Sequence, residues 1–234
     1  WQVWNEPNTE TFWRSGPDPV DYTDLLGAAS AAIRREDPGA EVVTAGISSS
    51  RRGIPLADFV AGMYRAGAPS AFDTLAIHPY AAECREAVAL AERTRRLMDR
   101  EGDASPMRIT ELGWSTGGPP SRFRSGEHGQ ARRLRCALAK LGRRGRRLGL
   151  SGLAYYNWRD WPPPLGRKDF WGRHTGLLRA DASPKPALHV FREAALELQT
   201  GTSHPTGALA PRAASTGSPD LREPIGALPL VGGV

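Results

Sequence analysis

With 234 residues, 40% of them hydrophobic, the chain can form one large domain or two small ones around a substantial core. It has no run of about 18 apolar residues, which excludes a membrane-spanning helix and argues against a membrane partner. A formal net charge of +6 raises a polyanion-binding reading, but no nucleic-acid-binding motif accompanies the basic residues, so no nucleic-acid partner is expected.

In chain order, apolar runs alternate with helical patterns. WQVWNE, at residue 1, reads as a strand that ends in an acid. VDYTDLLGAASAAIRRED, 20–37, has apolar residues at helical spacing and stops near Pro38-Gly39. AEVVTAGIS, from residue 40, is the second strand; PLADFVAGMYRAG, 55–67, then opens on proline and stops at glycine, as helices do. DTLAIHPY, from 73, is the third strand, and CREAVALAERTRRLMDREG, 84–102, is an amphipathic helix closing on glycine. MRITELGW, from 107, is the fourth strand. ARRLRCALAKLGRRGRRLG, 131–149, follows as a helix with Leu134, Ala137, Leu138 and Leu141 on one stripe and its arginines facing solvent. LSGLAYYNW, from 150, is the fifth strand, and PKPALHVFREAALELQ, 184–199, the last helix. From about residue 200 the composition turns to Pro, Gly, Ala, Ser and Thr, so 1–199 is expected to form the domain and 200–234 a disordered tail.

The strand starts lie 39, 33, 34 and 43 residues apart. This is the spacing of parallel βα units, and an α/β fold follows, either an open doubly wound sheet or a closed barrel. No glycine-rich phosphate loop follows any strand, which lowers the nucleotide option. Cys84 and Cys136 belong to no CxxC or Cys/His cluster, so no metal site is expected from them. Two free, partly buried thiols are the expected state, and a lone disulfide between them is the alternative.

The carboxyl ends of parallel strands are where barrel enzymes hold their catalytic groups. Here the first strand ends in Asn5-Glu6-Pro7-Asn8, the third in His78-Pro79-Tyr80, the fourth in Glu111-Leu112-Gly113-Trp114, and the fifth in Tyr156-Asn157-Trp158-Arg159-Asp160-Trp161. Each has a plainer reading. Glu6 can cap the turn that Pro7 starts, Glu111 can pair with an arginine such as Arg108, His78 can be a satisfied core histidine, and Tyr80 and Trp158 can be packing residues. Their joint placement favours a site. Two acids can cleave a glycosidic bond, one protonating the leaving oxygen and one acting from the other face. Tryptophan planes stack on sugar rings, and amide and imidazole groups bond sugar hydroxyls.

WNEPN and ITELGW, three βα units apart, resemble the fourth and seventh strands of a clan A glycoside hydrolase, with a family 39 and family 5 flavour. HPY is similar to the sixth strand of that clan and YYNWRDW to the eighth; GLLRADASPKPALHVFREA resembles the exit into the last helix. The resemblance covers residues 1 to about 199 and implies a partial (β/α)8 TIM barrel, strands four to eight with their helices. It places roughly 100 residues of such a barrel before residue 1.

The resemblance also implies roles. Glu6 would be the acid/base, with a raised pKa, and Glu111 the charged nucleophile of a retaining reaction, their carboxyls about 5 to 5.5 Å apart. Asn5 would bond the sugar 2-hydroxyl, and Tyr80 would hold Glu111 with His78 beside it. Trp158 would be the platform under the reacting sugar, with Trp114, Trp161 and Trp13 in outer subsites. The substrate would be a polysaccharide or oligosaccharide, with no cofactor and no metal, handled by a monomer; secretion is the expectation by analogy. A non-hydrolytic carbohydrate-binding fragment is the alternative.

Overall fold

The computed structural model describes residues 1–50, 52–162 and 168–200. The expected tail beyond residue 200 therefore lies outside the described residues. The elements run α1 (Pro19–Glu36), β1 (Ile47–Ser48), α2 (Leu56–Arg65), β2 (Leu75–His78), α3 (Cys84–Arg100), β3 (Met107–Ile109), α4 (Gly126–Leu148), β4 (Leu150–Leu153) and α5 (Pro186–Thr200). Single 3-10 turns at Ala68–Ala71 and Trp171–His174 complete them. Among the described residues no helix is long and apolar enough to cross a membrane.

The four strands form one parallel sheet in the order β1-β2-β3-β4. Ile47 pairs with Ile77, Ile77 with Ile109, and Ile109 with Leu153, so one row of branched side chains crosses the sheet. The first segment adds a further parallel member through bridges Gln2 to Val43 and Asn5 to Gly46, with Val3 N–H donating to Val43 O at 2.9 Å. It forms no continuous strand, and AEVVTAGIS is regular only at Ile47–Ser48. The sequence expectation of longer strands is corrected here: Trp4 and Glu6 adopt left-handed φ values of 74° and 42°, which break a ladder.

Each helix begins and ends for a local reason. In α1, the Asp18 carboxylate accepts from Val20 N–H at 2.7 Å, Pro19 occupies the first turn, and Arg34 and Arg35 sit in the last turn, where the helix dipole favours cations. Helix α4 starts at Gly126, five residues before the arginine-rich pattern, and stops at Gly149, which takes φ 61°. Successive helices pack side by side on the outside of the sheet. Their inner faces, with Leu26, Phe59, Val60, Ala87, Met98, Leu134 and Leu141, are buried against Ile47, Ile77 and Ile109. The cysteines are a correction to the expected free thiols. Cys84 at the start of α3 and Cys136 in α4 form a disulfide, their Cα atoms 6.0 Å apart across the seam between the two helices.

Candidate active site

The NEPN segment leaves the first parallel member by a tight turn. Thr9 N–H and the Thr9 hydroxyl both donate to Glu6 O, each at 3.0 Å. Asn8, fully buried, ties the turn to β1: its amide nitrogen donates to Ser48 O at 2.8 Å and Ile54 O at 2.9 Å, and its Oδ1 accepts from Ser48 N–H at 2.9 Å. These bonds hold the left-handed Glu6, a conformation uncommon away from glycine.

His78 closes β2 and is fully buried. Its Nδ1 lies 3.0 Å from Glu6 Oε1 and its Nε2 lies 3.0 Å from Thr110 Oγ1. The ring fits because Gly46 has no side chain: a Cβ there would meet His78 Nε2 at 1.9 Å. Glu111 follows β3, and the Tyr80 hydroxyl donates to its Oε2 at 2.7 Å; the same oxygen lies 3.7 Å from His78 Nδ1. Glu6, His78 and Glu111 each offer a donor atom within 4.8 Å of the others, so the two carboxylates approach within that distance. This is also the cluster that could hold a metal ion among the described residues, although its members are already engaged with one another, with Thr110 and with Tyr80. Arg108 does not neutralise Glu111. It makes a bidentate pair with Glu41, at 3.0 and 2.9 Å.

The electrostatics of the pair follow from enclosure. Burial raises the Glu111 carboxyl above its usual range, against the lowering pull of His78 and the Tyr80 hydrogen bond, and the nearby Glu6 charge raises it further. This differs from the expectation that Glu111 would be the readily charged member. The reason is that its carboxylate gives up water at the end of β3. The Glu6 charge is the smallest of these contributions, and burial the largest. Burial first, then the Glu111 charge, keep Tyr80 protonated well above its ordinary range, so it stays a donor; Tyr156 is raised by the same two causes.

The other expected residues divide. Asn5 is partly exposed and its side-chain amide makes no hydrogen bond among the described residues, so it is free to meet a ligand. Trp114 is corrected: it is fully buried, its indole N–H donates to Ala81 O at 2.9 Å, and it has no face on the rim. His78 is corrected likewise, since both ring nitrogens are engaged and none of its surface is exposed; it can position an acid but cannot touch a sugar. Trp158 is 52% exposed, and no ring contact joins it to Tyr80 among the described residues. Trp161 stands edge-on to Phe170 at 5.9 Å with the Arg173 guanidinium over its ring. Trp13 packs edge-on between Trp4 and Tyr22.

The aromatic rings packed around Tyr80, besides His78, are Tyr156, Trp171 and Phe123. Tyr156 N–H donates to Leu112 O at 3.0 Å, and its ring lies edge-on to Tyr80 at 6.4 Å. Trp171 lies 5.0 Å from Tyr80 and 4.5 Å from Phe123. Tyr156 belongs to the YYNW stretch, in which the sequence points to Trp158 instead; Trp171 opens a 3-10 turn and Phe123 sits in a loop, with no pattern to mark either.

No family model matches the chain, and no characterised protein matches it in sequence. Solved structures do match in fold. The catalytic domain of a glycoside hydrolase of family 53 from Ignisphaera aggregans shares 19% identity at a TM-score of 0.60, over 82% of this chain and 58% of that one. A family 128 exo-β-1,3-glucanase from Aureobasidium namibiae shares 15% identity at 0.55, over 80% and 64%. A family 17 β-1,3-glucanosyltransferase from Rhizomucor miehei shares 16% identity at 0.53, over 76% and 60%. The chain thus spans less than two thirds of the length of each, and the likeness is one of fold: a parallel α/β sheet of partial-barrel type.

Proposed function

We propose that the chain carries the active site of a retaining glycoside hydrolase, with Glu6 as acid/base and Glu111 as nucleophile. The observation that carries this is the pair of carboxylates within 4.8 Å, one held by His78 and the other by Tyr80. Retaining enzymes set their carboxyls about 5 to 5.5 Å apart, whereas inverting ones leave room for a water at roughly 6.5 to 9.5 Å. Fold neighbours that act on β-1,3-glucans support a carbohydrate substrate.

In this reading Glu111 attacks the anomeric carbon and the glycosidic bond breaks, while Glu6 gives its proton to the departing oxygen. Glu6, now charged, takes a proton from water, whose oxygen attacks the same carbon and releases Glu111. His78 can follow this change. With Nδ1 protonated it donates to a charged Glu6; with Nε2 protonated it donates to Thr110 and accepts from a protonated Glu6. Tyr80 donates to Glu111 Oε2 and leaves the other oxygen for the sugar. Tyr156 and Trp171 supply aromatic faces, and Asn5 an unpaired amide for a hydroxyl.

The test uses activated aryl β-glycosides of several sugars. Glu111→Ala should lose turnover, and Glu6→Ala should keep part of it only where the leaving group needs no proton. Full activity in both variants would overturn the assignment. Saturable glycan binding without turnover in the wild type would leave the binding-fragment reading instead.

A further inference from the structure

A second feature of the same rim takes no part in the reaction above. Where α3 and α4 begin, a cavity of about 500 Å³ opens between them, lined by Arg85, Arg132, Arg133, Glu83, Ser125 and the Cys84–Cys136 disulfide. Its charges do not balance. Glu83 is taken by Arg133, whose Nη2 lies 2.5 Å from Oε1. Arg85 and Arg132 are exposed and have no ion pair or hydrogen bond among the described residues. Arg133 Nη1 is buried with no acceptor, an arrangement that costs free energy. The acids in the first turns of α3 and α4 do not offset these arginines by pairing with them: Glu86 accepts from Ala82 N–H and Glu127 pairs with Arg179. The disulfide fixes the spacing between the helix that carries Arg85 and the one that carries Arg132 and Arg133.

Short stretches of chain join the cavity lining to the residues around Glu111. Glu83 is three residues beyond Tyr80, so their Cα atoms are at most about 11 Å apart. Ser125 is two residues beyond Phe123, whose ring is 6.1 Å from that of Tyr80. A glycan chain leaving the acids along this side would bring a neighbouring sugar over the arginines.

We infer that this cavity is a subsite for an anionic substituent on the glycan, a uronic acid carboxylate or a sulfate ester, so that the substrate is an acidic polysaccharide. Planar guanidinium forks match both oxyanions. The inference rests on the glycosidase reading for its substrate, but its test does not need turnover.

Calorimetric titration of the full chain would use three probes: a uronic acid tetrasaccharide, its carboxyl-reduced neutral form and a sulfated tetrasaccharide. Wild type would be compared with Arg85→Gln and Arg132→Gln, both exposed positions away from the core. The acidic probes should bind more tightly than the neutral one, and each substitution should weaken acidic binding roughly tenfold or more. Whichever acidic probe binds better identifies the oxyanion. Equal binding of acidic and neutral probes, or no response to either substitution, would overturn the inference. So would an oligonucleotide that binds as tightly with the same arginine dependence, since the cavity would then be a general polyanion site. Arginine-dependent acidic binding in a chain that never hydrolyses would sink the catalytic reading alone. Hydrolysis without charge preference would sink only the subsite.

Discussion

Tyr80→Phe removes one oxygen and little else. The ring can keep its edge-on contacts with Trp171 at 5.0 Å and Tyr156 at 6.4 Å, while the 2.7 Å bond to Glu111 Oε2 is lost. A hydrogen bond to a charged group is worth about 1.5 to 3 kcal/mol, and this one favours the ionised carboxylate. If the nucleophile must be charged and held, kcat/KM should fall about 10- to 150-fold. The pH dependence has a definite sign. The Tyr80 bond lowers the Glu111 pKa against the larger upward effect of burial, so removing it sends that pKa further up. The acidic limb of the activity profile should therefore move to higher pH. Carboxyl ¹³C NMR of the labelled chain gives the same quantity without any substrate: Glu111 should titrate above an ordinary glutamate in the wild type and higher still in the variant. An unmoved Glu111 titration together with wild-type kcat/KM would refute the role given to Tyr80.

Three further outcomes are expected. Gly46→Ala places a methyl 1.9 Å from His78 Nε2, so the imidazole must shift; a thermal melt should show a loss of about 1 to 3 kcal/mol, and activity should fall with it as Glu6 loses its partner. Replacing both cysteines by serine releases a loop with a sequence separation of 52 and should cost up to about 4 kcal/mol in denaturant unfolding, with no loss if the bond does not form. Lys185→Met leaves Asp160 without the ammonium 2.6 Å away, in a site where Lys185 is 1% exposed; about 3 to 5 kcal/mol should be lost, and a melt unchanged from wild type would show the pair to be unimportant.

That Glu6, His78, Tyr80 and Glu111 lie at one end of the sheet is legible in the sequence because strand ends mark themselves. An apolar run of β spacing stops, and the residues that follow face the mouth of the sheet. Glu6, Tyr80 and Glu111 stand out in this way; His78 stands out too, but as a sugar contact and not as the buried neighbour of Glu6 that it is. The aromatic shell is not legible, because Phe123, in a loop, and Trp171, at the start of a 3-10 turn, reach Tyr80 along paths set by tertiary contacts. Trp114 was misplaced even though the pattern held a clue. It shares parity with Leu112, opposite to Glu111, and both Leu112 and Trp114 are fully buried. The disulfide stays an alternative to free thiols in the sequence because it depends on how far α3 and α4 slide past one another, which depends on their packing and not on the identity of either segment. The start of α4 is not marked because GEHGQ carries two glycines, which are poor helix formers, and no apolar stripe.

The acids stand on members of the sheet that are three neighbours apart: the first segment, then β1, β2 and β3. In a flat sheet those members would be about 14 Å apart. The carboxylate oxygens nonetheless come within 4.8 Å. Two glutamate side chains reaching inward close part of that distance, and the curl of the sheet closes the rest. The gap between the acids is thus a readout of curvature. A substitution on the outer faces of the helices that flattened the sheet slightly would spread the carboxylates without touching either one, and would move the geometry from one that suits direct attack toward one that admits an intervening water.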